Sequence, residues 1–302
     1  MVKRKVLVIY HRADYDGIFS GIIAKKYYEK IGCQVKTFGW NYDDEPVDLE
    51  REIKTNSIIC MVDLSFTAKY MMVLKESGKF VWIDHHETAI QDSQKYGYDK
   101  IPGKRTISEA AVTLTWQYFN PKQEVPELIK MIGTYDIWRK EENWQSEIIP
   151  LQYGLKKEYG LSFTRILNDW EIMIADFEWL LDDGKAIYTW LQKSSQSWIQ
   201  NCGFPVTVAG KYKGIAILSP ITGSLVFESV QSQYDLFLVI QVRDGGTRYS
   251  LSMYTEPEKN LDFSCGEYLK SLQPEAGGHK TAAGMENMTE ELFKKLLFEH
   301  EI

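Results

Sequence analysis

The chain has 302 residues, 44% of them hydrophobic, and a net charge of −7, which allows one large or two ordinary cores, two being the expectation, and excludes a global positive field able to hold long nucleic acid non-specifically. Cys33, Cys60, Cys202 and Cys265 are scattered without a CxxC pair, a pattern of reduced thiols rather than of a disulfide framework or zinc knuckle. No apolar run approaches a membrane span, and Met1-Val2-Lys3-Arg4-Lys5 leads into a strand rather than a signal-peptide core, so a soluble cytoplasmic protein is expected.

Residues 5–10 (KVLVIY) read as a strand that ends in polar chemistry, His11-Arg12-Ala13-Asp14-Tyr15-Asp16-Gly17. A helix follows, with Ile18, Phe19, Ile22, Ile23 and Tyr27 on one face and Gly32 as its stop. Residues 34–40 (QVKTFGW) are extended and run into an acidic turn, Asp43-Asp44-Glu45-Pro46. Residues 57–64 (SIICMVDL) are a third strand candidate with Asp63 at its carboxyl end. A helix over residues 67–77 leads through Gly78 to a fourth strand, Phe80-Val81-Trp82-Ile83, which stops abruptly at Asp84-His85-His86. This alternation predicts an α/β fold whose parallel sheet is covered on both faces.

In such sheets crossovers are right-handed and ligands gather beyond the carboxyl ends of the strands. His11, Asp14, Asp16, Asp63, Asp84, His85 and His86 all fall at such ends. Taken alone, Asp84-His85-His86 reads equally well as a solvated loop after a strand, although three ionisable side chains in a row cannot all be buried without partners. Three strands delivering ionisable groups to one sheet edge is what a site predicts and a loop does not.

From His86 a polar loop is expected to reach Ser108, where a helix begins that runs to Phe119 and is stopped by Pro121. A further helix from Val125 closes on Gly133-Thr134-Tyr135-Asp136-Ile137-Trp138-Arg139; by itself Asp136 reads as a cap or a surface acid. Residues 155–201 are helical and aromatic-rich, with Phe163, Trp170, Phe177, Trp179, Tyr188, Trp190 and Trp198, a stripe that suits a core and a packing surface better than a base-stacking platform. Beyond residue 204 the pattern gives a hairpin about Gly210 to Gly214, a helix over 224–231, and strands over 235–242 and 248–254 flanking Asp244-Gly245-Gly246. A helix over 265–272, the stretch Ala276-Gly277-Gly278-His279-Lys280-Thr281-Ala282-Ala283-Gly284, and a last helix burying Leu292, Phe293, Leu296 and Leu297 complete it. The expected division is a metal-binding catalytic domain over residues 1–181, a helical connector over 182–203 and a smaller α/β substrate-binding domain over 204–302.

Two histidines and several carboxylates, with no cysteine among them, suit a borderline-hard divalent ion such as Mn²⁺ better than structural zinc. Four aspartates and two histidines are about enough for two ions, and a pair about 3.5 to 4 Å apart lowers the pKa of a bridging water and stabilises in-line displacement at phosphorus. Hydrolysis of a phosphate ester follows from that chemistry. Gly277 and Gly278 allow backbone amides to approach an anion, to which a helix beginning after His279 would add its positive end; by itself GGH reads as a flexible turn.

Taken together, His11 to Gly17, Asp63 in VDLS, Asp84-His85-His86, Asp136 in YDIW and Gly277 to Gly284 resemble the ordered motifs of the DHH phosphoesterase family with its DHH-associated C-terminal domain, and they extend over nearly the whole chain. The resemblance implies that His11 and Asp14 ligate one metal and Asp16 and His85 the other, with Asp63 and Asp136 shared or flanking both. It implies that Asp84 orients His85, that His86 touches the substrate phosphate, and that His279 with Gly277 and Gly278 holds a terminal phosphate or nucleotide end. Family members cleave short oligonucleotides, nucleoside bisphosphates, linear or cyclic dinucleotides, single-stranded DNA or polyphosphate. This chain departs from the family pattern twice: Glu275-Ala276 stands where more glycine is common, and Ser250-Leu251-Ser252-Met253 where a substrate-binding arginine is frequent, leaving Arg243 or Arg248 as candidates to replace it.

The expectation is therefore a hydrolase, a Mn²⁺-dependent phosphodiesterase or exonuclease with two divalent ions, acting on very short oligonucleotides such as nanoRNA or linear dinucleotides. Relatives acting on long DNA append further DNA-binding domains, and no residues remain here for one. A 3′,5′-bisphosphate nucleotide phosphatase or cyclic-dinucleotide phosphodiesterase is the alternative. A non-catalytic nucleotide-binding sensor is the other class, and the retention of His11, Asp14, Asp16, Asp63, His85 and Asp136 argues against it. The partner is a small nucleotide substrate, not long duplex nucleic acid or a membrane, and the reading leaves room for a homodimer.

Overall fold

Strands rich in Val, Ile and aromatic residues alternate with helices through the first hundred residues, and the computed structural model, which describes residues 3–42, 44, 48–220, 223–278 and 280–302, forms a sheet from them. Strands β1 (Lys5–His11), β2 (Gln34–Trp40), β3 (Ile58–Val62) and β4 (Phe80–Ile83) are all parallel in the order β2-β1-β3-β4. Helices α1 (Tyr15–Lys30), α2 (Leu49–Thr55) and α3 (Ala68–Glu76) are the crossovers. The chain then adds α4 (Glu87–Tyr96), α5 (Ala111–Phe119), α6 (Glu127–Asp136), α7 (Ile149–Tyr159), α8 (Phe163–Asn168), α9 (Trp170–Ala175) and the long α10 (Glu178–Cys202).

Both faces of the central strands are buried, as a sheet covered by helices requires. Leu7, Ile9, Ile59, Met61 and Trp82 join Leu49, Met71 and Leu74 in one core. The alternate residues Val6, Val8, Cys60 and Val62 are equally buried, and α1 packs on β1 and α5. Because β1 sends the chain to β2 on one side and β3 joins it on the other, the crossovers diverge above β1 and β3, where a doubly wound sheet leaves its crevice. His11 and Asp63 stand at the two ends that bound that crevice.

Two expectations are corrected. The stretch after His86 is helix α4, not a loop; only Ala89 and Ser93 of it are buried, so it shows little apolar periodicity. The stretch after Gly278 is strand β10 (Ala282–Met288) rather than a helix, paired with β9 (Gly277–Gly278).

The chain divides into two compact units, residues 1–188 and 189–302, and α10 runs across that division. The second unit is a six-stranded mixed sheet in the order β5-β6-β7-β8-β10-β9, with β5 (Phe204–Val208), β6 (Tyr212–Leu218), β7 (Leu236–Arg243) and β8 (Arg248–Tyr254). Among the described strands of this sheet, β6 and β7 alone pair with each other in parallel, joined through a 3₁₀ helix over Ser224–Val230. One face of the sheet packs on α11 (Cys265–Leu272) and the C-terminal segment that begins with α12 (Glu290–Lys294). Among the described residues, no helix is long and apolar enough to cross a membrane.

Candidate metal centre

The six expected ligands converge beyond the carboxyl ends of β1, β3 and β4, in two groups. His11, Asp14 and Asp63 form one, and Asp16, His85 and Asp136 the other, with the ligating atoms of each group within 4.8 Å of one another. Asp63, His85 and His86 form a third set that overlaps both.

Each position has a local cause. Asp14 is the N-cap of α1, its carboxylate accepting from the Gly17 amide at 2.8 Å, so helix initiation itself aims a carboxylate at the strand end. His11, the last residue of β1, has Nδ1 2.9 Å from Asp14 Oδ2 and 3.6 Å from Asp63 Oδ2. Its Nε2 donates to Asn41 Oδ1 at 3.0 Å, which turns Nδ1 toward the carboxylates. Asp16 is fully buried in the first turn of α1, and its two oxygens accept from the Ala111 and Val112 amides at 2.9 and 2.6 Å. Those amides are unpaired donors of the first turn of α5, so a helix N-terminus holds the acid in place.

Asp63 follows β3 with φ of 58°, a left-handed backbone that Asp tolerates better than most residues. Its Oδ2 faces His11, while its Oδ1 lies 3.3 Å from His85 Nε2. The same His85 nitrogen is 3.3 Å from Asp136 Oδ2 and 3.7 Å from Asp16 Oδ2. Asp136 is brought in by the last residue of α6 and is neither a solvated cap nor a surface acid. Its neighbour Tyr135 stacks on Trp144.

Asp84 has a different arrangement from the expected one. Its carboxylate bonds the ring of His86, Nδ1 to Oδ1 at 2.7 Å, and reaches His85 only through that residue's backbone amide at 2.8 Å. Asp84 therefore orients the His86 ring rather than the His85 ring.

The charges cannot coexist as they stand. Burial, and then the neighbouring Asp63 carboxylate, push Asp16 well above the usual carboxylate range. Asp136 is raised likewise by burial and by Asp16, and Asp63 is raised to about 8, chiefly by burial. Burial alone would lower the His11 ring, but its contacts with Asp14 and Asp63 outweigh it and raise it to about 11. The same balance, with Asp84 as the partner, raises His86 to about 9. Asp63 Oδ1 and Asp136 Oδ2 are buried with no hydrogen-bond partner. Buried carboxylate oxygens without donors, facing an imidazole nitrogen, fit divalent cations: these cost most in isolation and least around a metal. An oxygen-rich set with two nitrogens and no sulfur fits Mn²⁺ or a similar ion.

Two contributors escape a reading of the sequence. Asn41 stands one residue beyond β2, at the same sheet edge as the ligands, and that position was its signal. The Ala111 and Val112 amides carry no side-chain signal at all. Gly277 and Gly278 lie in edge strand β9, and Gly278 adopts φ of 144°, where an added Cβ would come within 2.5 Å of Ala283 Cα. Sheet pairing alone thus requires that glycine. His279 lies outside the described residues. Arg243 is bonded to Gln241 and Glu286, and Arg248 to Asp244.

Comparison with known proteins agrees with the family resemblance. Residues 5–135 match the model described as the DHH family, N-terminal domain. Over 171 residues the chain is 27% identical to an uncharacterized protein of Acanthamoeba polyphaga mimivirus, a stretch covering 51% of this chain and 38% of that relative. The chain thus spans well under half the length of that relative. A pGpG-specific phosphodiesterase, PggH, from Vibrio cholerae superposes with a TM-score of 0.57 at 11% identity, over 97% of this chain and 96% of that one. A RecJ from Thermus thermophilus in complex with Mn²⁺ superposes with a TM-score of 0.50 at 16% identity, over 96% of this chain and 50% of that one. At these identities the structural likenesses establish a shared fold.

Proposed function

We propose, from the premise that residues 5–135 are the N-terminal domain of a DHH-family protein, that the chain is a metal-dependent phosphodiesterase that hydrolyses very short oligonucleotides, linear dinucleotides foremost. The observation that carries this reading is the carboxylate of Asp63, whose two oxygens face two different histidine-carboxylate groups, as a ligand shared between two ions would.

His11 through Nδ1, Asp14 and Asp63 would hold one ion, and Asp16, Asp63, Asp136 and His85 through Nε2 the other, with Mn²⁺ the leading candidate. Bound ions of this kind supply positive charge at the phosphoryl oxygens and generate a nucleophile from water at neutral pH. The chain's own residues supply the positioning. Asn41 fixes the His11 tautomer, and the Ala111 and Val112 amides fix Asp16. His86 is tied to Asp84 at Nδ1, and when protonated it would have its Nε2–H to donate to a phosphate oxygen or to the departing alkoxide. Residues 204–302 would serve substrate binding, with Gly277, Gly278 and His279 as the candidates.

The full-length likeness to a pGpG-specific phosphodiesterase favours a linear dinucleotide over the bisphosphate and cyclic-dinucleotide alternatives. The test is a panel assayed with Mn²⁺: a linear dinucleotide, a 5-mer, a 3′,5′-bisphosphate nucleotide, a cyclic dinucleotide and pyrophosphate. The linear dinucleotide is expected to have the highest kcat/KM. A higher value for the bisphosphate or cyclic compound moves the substrate, and hydrolysis of none of them leaves a nucleotide-binding sensor.

A further inference from the structure

We infer that an aromatic cleft beside the ligand cluster, lined by Trp40, Tyr42, Phe66 and Tyr70, seats a nucleobase of the substrate whose phosphate lies at the cluster. The inference rests on the phosphodiesterase reading for its substrate class and on separate residues for its site.

The cleft opens at the same sheet edge as the ligand cluster. Trp40 ends β2, Tyr42 follows Asn41, whose side chain holds His11, and the Tyr42 ring lies 5.8 Å from the His11 ring. Ser65, two residues beyond Asp63, lines the cleft from the β3 side. Its volume is about 430 Å³, within the roughly 300 to 1,000 Å³ of small-molecule sites.

Core packing accounts for Trp40 and Leu49, which are buried among the residues of the first core. It does not account for Tyr42 and Tyr70, whose rings line the same cleft at 55% and 39% exposure. The walls meet edge to face, Trp40 against Tyr42 at 5.3 Å and against Phe66 at 4.9 Å, and the surface open to a planar guest is that of Tyr42 and Tyr70. A charge-dense cluster with an adjoining aromatic wall suits a ligand with one anionic end and one flat aromatic end, which is the construction of a nucleotide. The nearest carboxylate, Asp44, already receives two hydrogen bonds from Arg12 and one from the Asn41 amide.

Binding is read without turnover, by titrating the protein in Mn²⁺ with 2-aminopurine ribonucleoside 5′-monophosphate and following its fluorescence. Saturable quenching is expected in the wild type, with affinity lowered about tenfold or more in Tyr42→Ala/Tyr70→Ala and largely kept in Tyr42→Phe. Both tyrosines are partly exposed, and the single Tyr70→Ala variant serves if the double variant does not fold. Kinetics give the second reading: the preference for a linear dinucleotide over its abasic counterpart should fall about tenfold in the double variant. Absent quenching, or equal affinity in wild type and variants, overturns the cleft. A wild type that quenches but cleaves no dinucleotide overturns the phosphodiesterase reading and leaves the cleft standing.

Discussion

Asp63 concentrates the cost of this centre in one residue. It is 1% exposed, its backbone sits at φ of 58°, and its pKa is raised to about 8 because burial disfavours its charge. Strain and burial together at a candidate ligand are what a site optimised for metal rather than for stability would carry. Asn tolerates the same backbone and nearly the same volume without the charge, so Asp63→Asn should leave the metal-free protein at least as stable as the wild type. Turnover with Mn²⁺ should fall more than about a hundredfold, since even partners behind the ligands are worth 10- to 100-fold. Unchanged turnover in that variant would remove Asp63 from the centre. The pH dependence follows from the same groups. Asp16, Asp63 and Asp136 are carboxyls with folded pKa values above their unfolded ones, so their contribution to metal-free stability is greatest below about pH 4 and is lost as pH rises toward 8. Ligation requires them deprotonated. The gain in Tm on adding Mn²⁺ to EDTA-treated protein should therefore be larger at pH 8 than at pH 6; the reverse order would mean that the ion sits elsewhere.

At the scale of elements, the junction of β1 and α1 sets the geometry. A Cβ on Gly17 would lie 2.2 Å from the His11 carbonyl oxygen and 2.6 Å from its Cβ, so the helix can start this close to the strand only with glycine there. Gly17→Ala should destabilise the protein by about 1 to 3 kcal/mol, the usual cost of overpacking, seen as a lower urea midpoint. It should also weaken Mn²⁺ binding, because backbone relief must move His11. A wild-type midpoint and affinity would mean that the junction is slack. Three of the four parallel strands were legible as short apolar runs with an ionisable residue at the end, as in Val62-Asp63 and Ile83-Asp84, and β2 was legible as the extended run QVKTFGW between two helical patterns. Helix α4 was not, because ETAIQDSQKY lies on the surface and buries only Ala89 and Ser93; its one signal was Gly97, the left-handed C-cap at φ of 75°. Strand β10 was hidden by alanines that suit a helix, although Ala283 and Met285 turn inward at period two. Five of the candidate ligands, His11, Asp14, Asp16, Asp63 and His85, were legible from their places at or just beyond strand ends, whereas Asp136, at the end of α6, was legible only through the family resemblance. The partner of Asp84 was not, because adjacent histidines differ only in which ring turns back to meet it.

At the scale of the whole molecule, 42 acidic and 35 basic residues govern which substrates are held. Affinity for a single strand comes largely from counterion release, with log K falling as about −0.7 times the number of phosphates neutralised per decade of salt. A dinucleotide held through one or two phosphates should lose about three- to sevenfold in kcat/KM between 50 and 200 mM KCl by that rule. A strand held through six phosphates would lose several hundredfold over the same range. A net charge of −7 provides little to sustain the second mode. The chain should therefore cleave a linear dinucleotide at 200 mM KCl with a kcat/KM at least about a hundredfold above that for a single-stranded 20-mer, and with the shallow salt slope. Equal or greater efficiency on the 20-mer at that salt, or a steep slope on the dinucleotide, would require a local basic track stronger than the overall charge and would move the substrate class toward long single strands.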